Sequence, residues 1–194
     1  MKIKITDNDL ELFDIISYSY RSFALIKDLT DYLIHDAENK RLTFETLFYN
    51  AWSQKRGINQ EIPLNPGTML MISWAVIVNS KENWIDFTPE TPIDKSDPKW
   101  GLKRIKILKR KGKQQPSIRD VVWKIRNSLS HSDFTVKPGK DGTPWSVFLN
   151  ETIFTFKDSK EGKFELEINM IELSMLNVTI YETIRQKMMN KWAH

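Results

Sequence analysis

The sequence predicts a mainly α-helical chain with a small antiparallel β-sheet inserted before the C-terminal helix. Three observations predict it. Apolar residues recur at helical spacing through most of the first 131 positions. Beyond them the period changes to two, most clearly where Phe164, Leu166, Ile168 and Met170 alternate with Lys163, Glu165, Glu167 and Asn169. From Ile171 to Trp192 the helical period returns through Leu173, Leu176, Ile180, Ile184 and Met188. A length of 194 residues fits one domain, 1–194, with 134–170 as a β insertion within it.

Each element has its own signal. Thr6 or Asp7 can cap a long helix from Asp9 to about Ile34, striped by Leu12, Ile16, Phe23, Ile26 and Leu33. A second helix is expected from Thr43 to Lys55 and ends at Gly57. Pro66 and Gly67 open a third, which is apolar nearly all round through Ile77 and so belongs at the centre of the core. Asp86 to Pro98, with its prolines and acids, reads as a connector. Trp100 to Leu108 is expected to form a short basic helix, and Lys111 to Gln115 an exposed polar stretch. Pro116 or Ser117 then starts a helix that runs to His131. Strands are expected around Phe134 and Val136, Trp145 to Leu149, Ile153 to Phe156, and Phe164 to Met170, separated by the turns Pro138–Gly142 and Asp158–Gly162.

Composition narrows the chemistry. Cysteine is absent, which removes disulfides, thiol catalysis and cysteine-bound zinc and suits a reducing, cytoplasmic setting. The first residues lack the apolar run of a signal peptide, and no apolar run reaches membrane-spanning length. The three histidines form no His-Glu-x-x-His arrangement, and Gly139-Lys140-Asp141-Gly142 lacks the spacing of a phosphate loop. Neither a metal nor a cofactor is therefore expected. Charge is uneven. Lys99 to Lys113 holds eight basic residues and no acid, contributing +8 and leaving −4 for the rest of a chain whose total is +4. Such a patch suits a polyanion, or is simply a solvated loop.

The most informative stretch closes the helix that begins at Pro116: Arg126-Asn127-Ser128-Leu129-Ser130-His131. Ile118, Val121, Val122, Ile125 and Leu129 form its core stripe, Asn127 and His131 lie on the opposite side, and Trp123 lies near that outer face. On one regular helix Arg126 and His131 diverge by about 140° and rise about 7.5 Å, so their tips do not meet easily. Either the helix ends before His131, or a second copy packs across a two-fold axis and supplies the partner group. An outward Trp123 favours the two-fold, with Trp123 at the dimer interface. A purely structural reading stays open: Asn127 as a cap, Arg126 on a carboxylate, His131 as a helix-end residue.

This stretch resembles the signature of the HEPN superfamily (higher eukaryotes and prokaryotes nucleotide-binding). There an arginine and a histidine are separated by four to six residues, and a polar residue, often asparagine, follows the arginine. The text from Val122 to Phe134 looks like a bacterial branch with strands between the motif and the last helix. The resemblance implies a bundle of four main helices plus short extra ones, homodimeric through the motif helix. It implies Arg126 and His131 as the catalytic pair and Asn127 as their polar helper. It implies metal-independent endoribonuclease activity, as in toxin–antitoxin and phage-defence systems, with an antitoxin or regulatory partner and no membrane. Other members bind RNA or proteins without catalysis, which is the alternative reading. The chemistry agrees. A base titrating near neutrality takes the 2′-hydroxyl proton, and a guanidinium stabilises charge on the phosphate. Lys103, Arg104, Lys106, Lys109, Arg110, Arg119 and Lys124 are the expected contacts to the RNA backbone.

Overall fold

The computed structural model describes residues 26–27, 64–80, 82–110, 115–140, 143–158 and 164–192. The expected helices at 9–34 and 43–55 lie outside these residues, save 26–27, which are helical.

Helix α1 (Pro66–Ser73) begins where the sequence placed it. The Asn65 side chain accepts from Thr68 N at 2.9 Å, and Pro66 occupies the first turn, where its missing N–H costs nothing. The helix then widens into a π-helical turn, Trp74–Val78. Met69, Ile72, Ala75, Val76 and Ile77 are buried. A short helix α2 (Glu82–Ile85) and two 3-10 turns, Ile93–Lys95 and Pro98–Trp100, complete the connector.

The expectation of a mainly α bundle with a sheet confined to 134–170 is overturned here. The described residues form an α+β arrangement around a four-stranded antiparallel sheet, and one of its strands precedes the motif helix. Strand β1 (Lys106–Lys109) replaces the expected short basic helix. Its Lys106 pairs with Glu167 and its Ile107 with Leu166, and a bulge follows before Lys109. Ile107 and Leu108 are adjacent, so β1 shows no alternation, and its partner strand lies far along the chain. The approach to β1 depends on Gly101. Its φ is +66°, and a Cβ there would meet Glu172 O at 2.3 Å. Glycine alone lets this segment lie against the last helix and bury Trp100 and Leu102.

Helix α3 (Ile118–Ser130) carries the Arg-x4-His motif. Strand β2 (Phe134–Lys137) follows directly. Helix α4 (Trp145–Glu151) corrects a second expectation, since Trp145, Val147 and Leu149 were expected to alternate on a strand. Pro144 stands at its N-cap, and the Pro144 carbonyl accepts from Val147 N and Phe148 N. Leu149 is buried, Phe148 is half-buried and Val147 is exposed, which is not the two-residue pattern of a strand.

Strands β3 (Ile153–Asp158) and β4 (Phe164–Asn169) pair in register from Ile153–Asn169 to Asp158–Phe164. Both alternate strictly, so Phe154, Phe156, Leu166 and Ile168 form one buried face. Helix α5 (Met170–Trp192) follows at once, its N-terminus capped by Asn169 Oδ1 accepting from Glu172 N at 2.8 Å. The expected stripe of Leu173, Leu176, Ile180, Ile184 and Met188 is buried. The sheet order is β1-β4-β3-β2, so β1 and β2 are opposite edges. Helix α3 packs on β3 and on the π turn, and α5 on α1 and β4, making a helical layer over a sheet. No helix among the described residues is long and apolar enough to cross a membrane.

Candidate functional site at the end of α3

The two ends of α3 are built differently. At its start, Ser117 and Asp120 form a reciprocal cap: Ser117 Oγ accepts from Asp120 N at 3.1 Å, and Asp120 Oδ2 accepts from Ser117 N at 2.9 Å. One turn in, Arg119 is committed to the connector. Its Nε and one terminal nitrogen donate to Thr88 O at 3.0 and 2.9 Å, that nitrogen also reaches Asp86 O at 2.8 Å, and the other pairs with Glu90. Arg119 therefore clamps α3 to the segment after α2, and this engagement differs from the RNA contact expected of it.

The helix ends at Ser130, one residue before the histidine. His131 is the C-cap, Ser132 takes the left-handed conformation with φ +54°, and the chain turns away. Ser132 N donates to Leu129 O at 3.2 Å and Asp133 N to Ser128 O at 2.9 Å, the paired bonds of a Schellman ending. A serine occupies the position where glycine is usual. The turn is then tied to the sheet. Ser128 Oγ donates to Asp133 O at 2.6 Å, and Lys157 N on β3 donates to Asp133 O at 2.9 Å and to Ser128 Oγ at 3.2 Å. The result is an exposed imidazole on a stitched backbone.

Arg126 and Trp123 face each other one turn apart. The guanidinium carbon lies 5.3 Å from the Trp123 ring centroid, a cation–π contact, and both side chains are half-buried. Trp123 also packs on the core cluster, so it is less outward than its helical position suggests.

Asn127 and Lys124 turn to Asp158, at the start of the turn expected over Asp158–Gly162. Asp158 ends β3 and is only 4% exposed. Its Oδ2 accepts from Lys124 Nζ at 3.0 Å and from Asn127 Nδ2 at 3.1 Å. The Asn127 amide thus holds the helix to the sheet, and Lys124 neutralises a buried carboxylate instead of lying open to solvent. A signal for Asp158 existed. Phe154, Phe156 and Asp158 are successive inward positions of one strand, so the alternation itself turns the acid inward, where it requires a cation.

The remaining basic residues sit elsewhere. Lys103, Arg104 and Lys106 are exposed, Lys109 pairs with Glu165 at 2.6 Å, and Arg110 donates to Gln115 Oε1 at 3.2 Å. Lys103 and Arg110 border a cleft of about 600 Å3 floored by Ile93, Leu102, Ile105 and Ile107. None of the motif residues lines it. β1 carries Lys106 and Lys109 at one sheet edge, and β2, which follows His131, is the other. Three strand spacings, about 14 Å, separate the two edges.

Beneath this basic segment lies Glu172, buried at the start of α5. Its Oε1 accepts from Arg104 N at 3.0 Å. Burial pushes its pKa above the ordinary carboxylate value, against the smaller opposing pull of the Arg104 backbone bond and charge.

Comparison with known proteins agrees with the motif. A family model described as HEPN pEK499 p136 matches residues 20–191, which includes the whole of α3 and the sheet. No curated protein and no solved structure matches the chain.

Proposed function

The chain belongs to the HEPN pEK499 p136 family, and from that membership and the exposed end of α3 we propose that it is a metal-independent endoribonuclease. HEPN membership carries the coarser statement, an RNA-related, nuclease or toxin-type module. The finer one rests on a single observation. His131 stands exposed on a backbone stitched to β3, on the same helix as the Arg126 guanidinium.

In the proposed reaction His131 accepts the proton of an RNA 2′-hydroxyl. The 2′-oxygen forms a bond to phosphorus while the bond to the 5′-oxygen breaks, and a proton returns to that leaving oxygen. The products are a 2′,3′-cyclic phosphate and a 5′-hydroxyl. Arg126 meets the charge that builds on the non-bridging oxygens with forked hydrogen bonds. DNA lacks the nucleophile and is spared. α3 ends before His131, yet the Arg126 guanidinium is laid on Trp123 one turn earlier, so the proposed site draws the two groups from two copies of α3 related by a two-fold axis. Trp123, seated under Arg126, then borders the interface. Lys103, Arg104 and Lys106 supply exposed charge to RNA away from the scissile phosphate. A cytoplasmic toxin or phage-defence effector restrained by a partner is the setting this chemistry suits.

The test is cleavage of RNA in EDTA by the purified chain. Cyclic-phosphate ends are expected, and activity is lost in His131→Ala and in Arg126→Ala while circular dichroism is unchanged. Cleavage that persists in both folded variants refutes the assignment. Sedimentation at micromolar concentration checks the dimer.

A further inference from the structure

We propose that Asp158 is a positioning residue for His131, acting through Asn127 and Lys124; this rests on the nuclease reading of the same helix end. Three observations carry it. The carboxylate is buried, and its side chain is 2% exposed against 20% for Lys124. One oxygen, Oδ2, collects both donors, at 3.0 and 3.1 Å. Those donors lie on one face of α3: positions 124, 127 and 131 are spaced by three and four, so they fall on one stripe within about 60°. The acid at the end of β3 therefore grips the face of α3 that leads to the imidazole.

The grip fixes more than helix packing. The backbone bonds of the 131–133 turn set where the chain leaves α3, and Lys157, which donates to that turn, is the neighbour of Asp158 on β3. One strand end thus holds the histidine's turn through its backbone and the histidine's helix face through its carboxylate. Rotation of α3 about its axis would move His131 and Asn127 together, and the Asp158–Asn127 bond opposes that rotation. Lys124 supplies the opposite charge that a buried carboxylate requires. Asp158 touches neither RNA nor the reacting atoms in this scheme. Its effect is on the turnover step, where a displacement of an ångström is costly, and not on substrate affinity.

The experiment compares two double variants built to fold. Asp158→Leu with Lys124→Met replaces the ion pair by an apolar pair of similar volume, a class of exchange that is often neutral for stability. Asp158→Asn with Lys124→Gln removes both charges and keeps an acceptor for Asn127. Steady-state cleavage of an unstructured RNA is measured beside the imidazole NMR signals of His35, His131 and His194, with His131→Gln assigning the second. The apolar pair is expected to lose about tenfold or more in kcat with KM within about twofold, and to move the His131 signals while the other two stay. The amide pair is expected to recover most of kcat. Wild-type kcat with unmoved His131 signals in the apolar pair overturns the proposal, as does a loss confined to KM. If the apolar pair fails to fold, Asn127→Ala breaks the same bond from the helix side and is read by the same criteria. If the folded wild-type chain cleaves no RNA, the nuclease reading falls by itself. The NMR comparison then still decides whether Asp158 places His131.

Discussion

The two ends of α3 solve opposite problems with the same helix. At the N-terminus the polar groups are bonded to one another and to the connector: Ser117 and Asp120 cap each other, and the Arg119 guanidinium engages Thr88, Asp86 and Glu90. At the C-terminus the backbone is bonded as thoroughly, through the 128–133 turn and Lys157, yet the imidazole is left to solvent. A rigid backbone under an accessible base is what general base catalysis requires, and a saturated cap is what a helix start requires. The comparison also separates two arginines that look alike in sequence. Arg119 is a clamp, whereas Arg126 lies on an aromatic ring beside the exposed end.

That contrast can be broken at either end. The largest effect is expected at the C-terminus: His131→Ala or Arg126→Ala should lower kcat by about a hundredfold to ten-thousandfold, with little change in thermal stability. Cleavage rate and melting temperature, measured together, check it. At the N-terminus the pattern should invert. Arg119→Ala should cost about 1.5–3 kcal/mol of folding stability, because its bonds are charge-assisted and partly buried, while the variant that stays folded keeps its cleavage rate. Urea titration reads the first and kinetics the second. A loss of RNA affinity without a loss of stability would return Arg119 to the RNA contacts.

A smaller effect is expected at Glu172, away from both ends. Its folded pKa is raised, so the folded state holds the proton more tightly than the unfolded chain. Stability is then greatest below the ordinary carboxylate range and falls as pH rises through the window between the ordinary and the raised value. Glu172→Gln should flatten that part of the curve and be relatively more stable at neutral pH. Melting temperatures from pH 4 to 8 check the sign. The smallest effect is expected at Ser132, whose φ of +54° suits glycine better. Ser132→Gly should relieve strain and stabilise by about 0.5 kcal/mol or less, since glycine's extra unfolded-state entropy offsets part of the gain.

What the sequence revealed follows from how far each signal reaches. The limits of α3 and α5 and the pairing strands β3 and β4 were legible, because each is long enough to show its period several times. β1 was not, since its adjacent Ile107 and Leu108 break the alternation and its pairing partner is remote. α4 was misread because Trp145, Val147 and Leu149 alternate by chance over a helix of two turns that buries mainly Leu149. β1, which precedes α3 and joins the sheet from outside the expected insertion, is what revises the fold class, whereas α4 adds helix where a strand was expected. At the candidate site, the place of His131 at the helix end was legible from the sequence. The destination of Asn127 was not, because a hydrogen-bond acceptor on another strand leaves no trace in local spacing. Asp158 stood one step beyond the inward positions already recognised on β3, and only its neighbours in the turn disguised it.

The convergence of an arginine and a histidine from two copies of α3 is tested most directly by mixing the two inactive variants. Arg126→Ala and His131→Ala chains are combined, allowed to exchange subunits, and assayed on RNA in EDTA. A composite site predicts that each mixed dimer carries one intact pair, so cleavage returns to about one quarter of the wild-type level. A mixture that exchanges subunits and stays as inactive as its components contradicts the account.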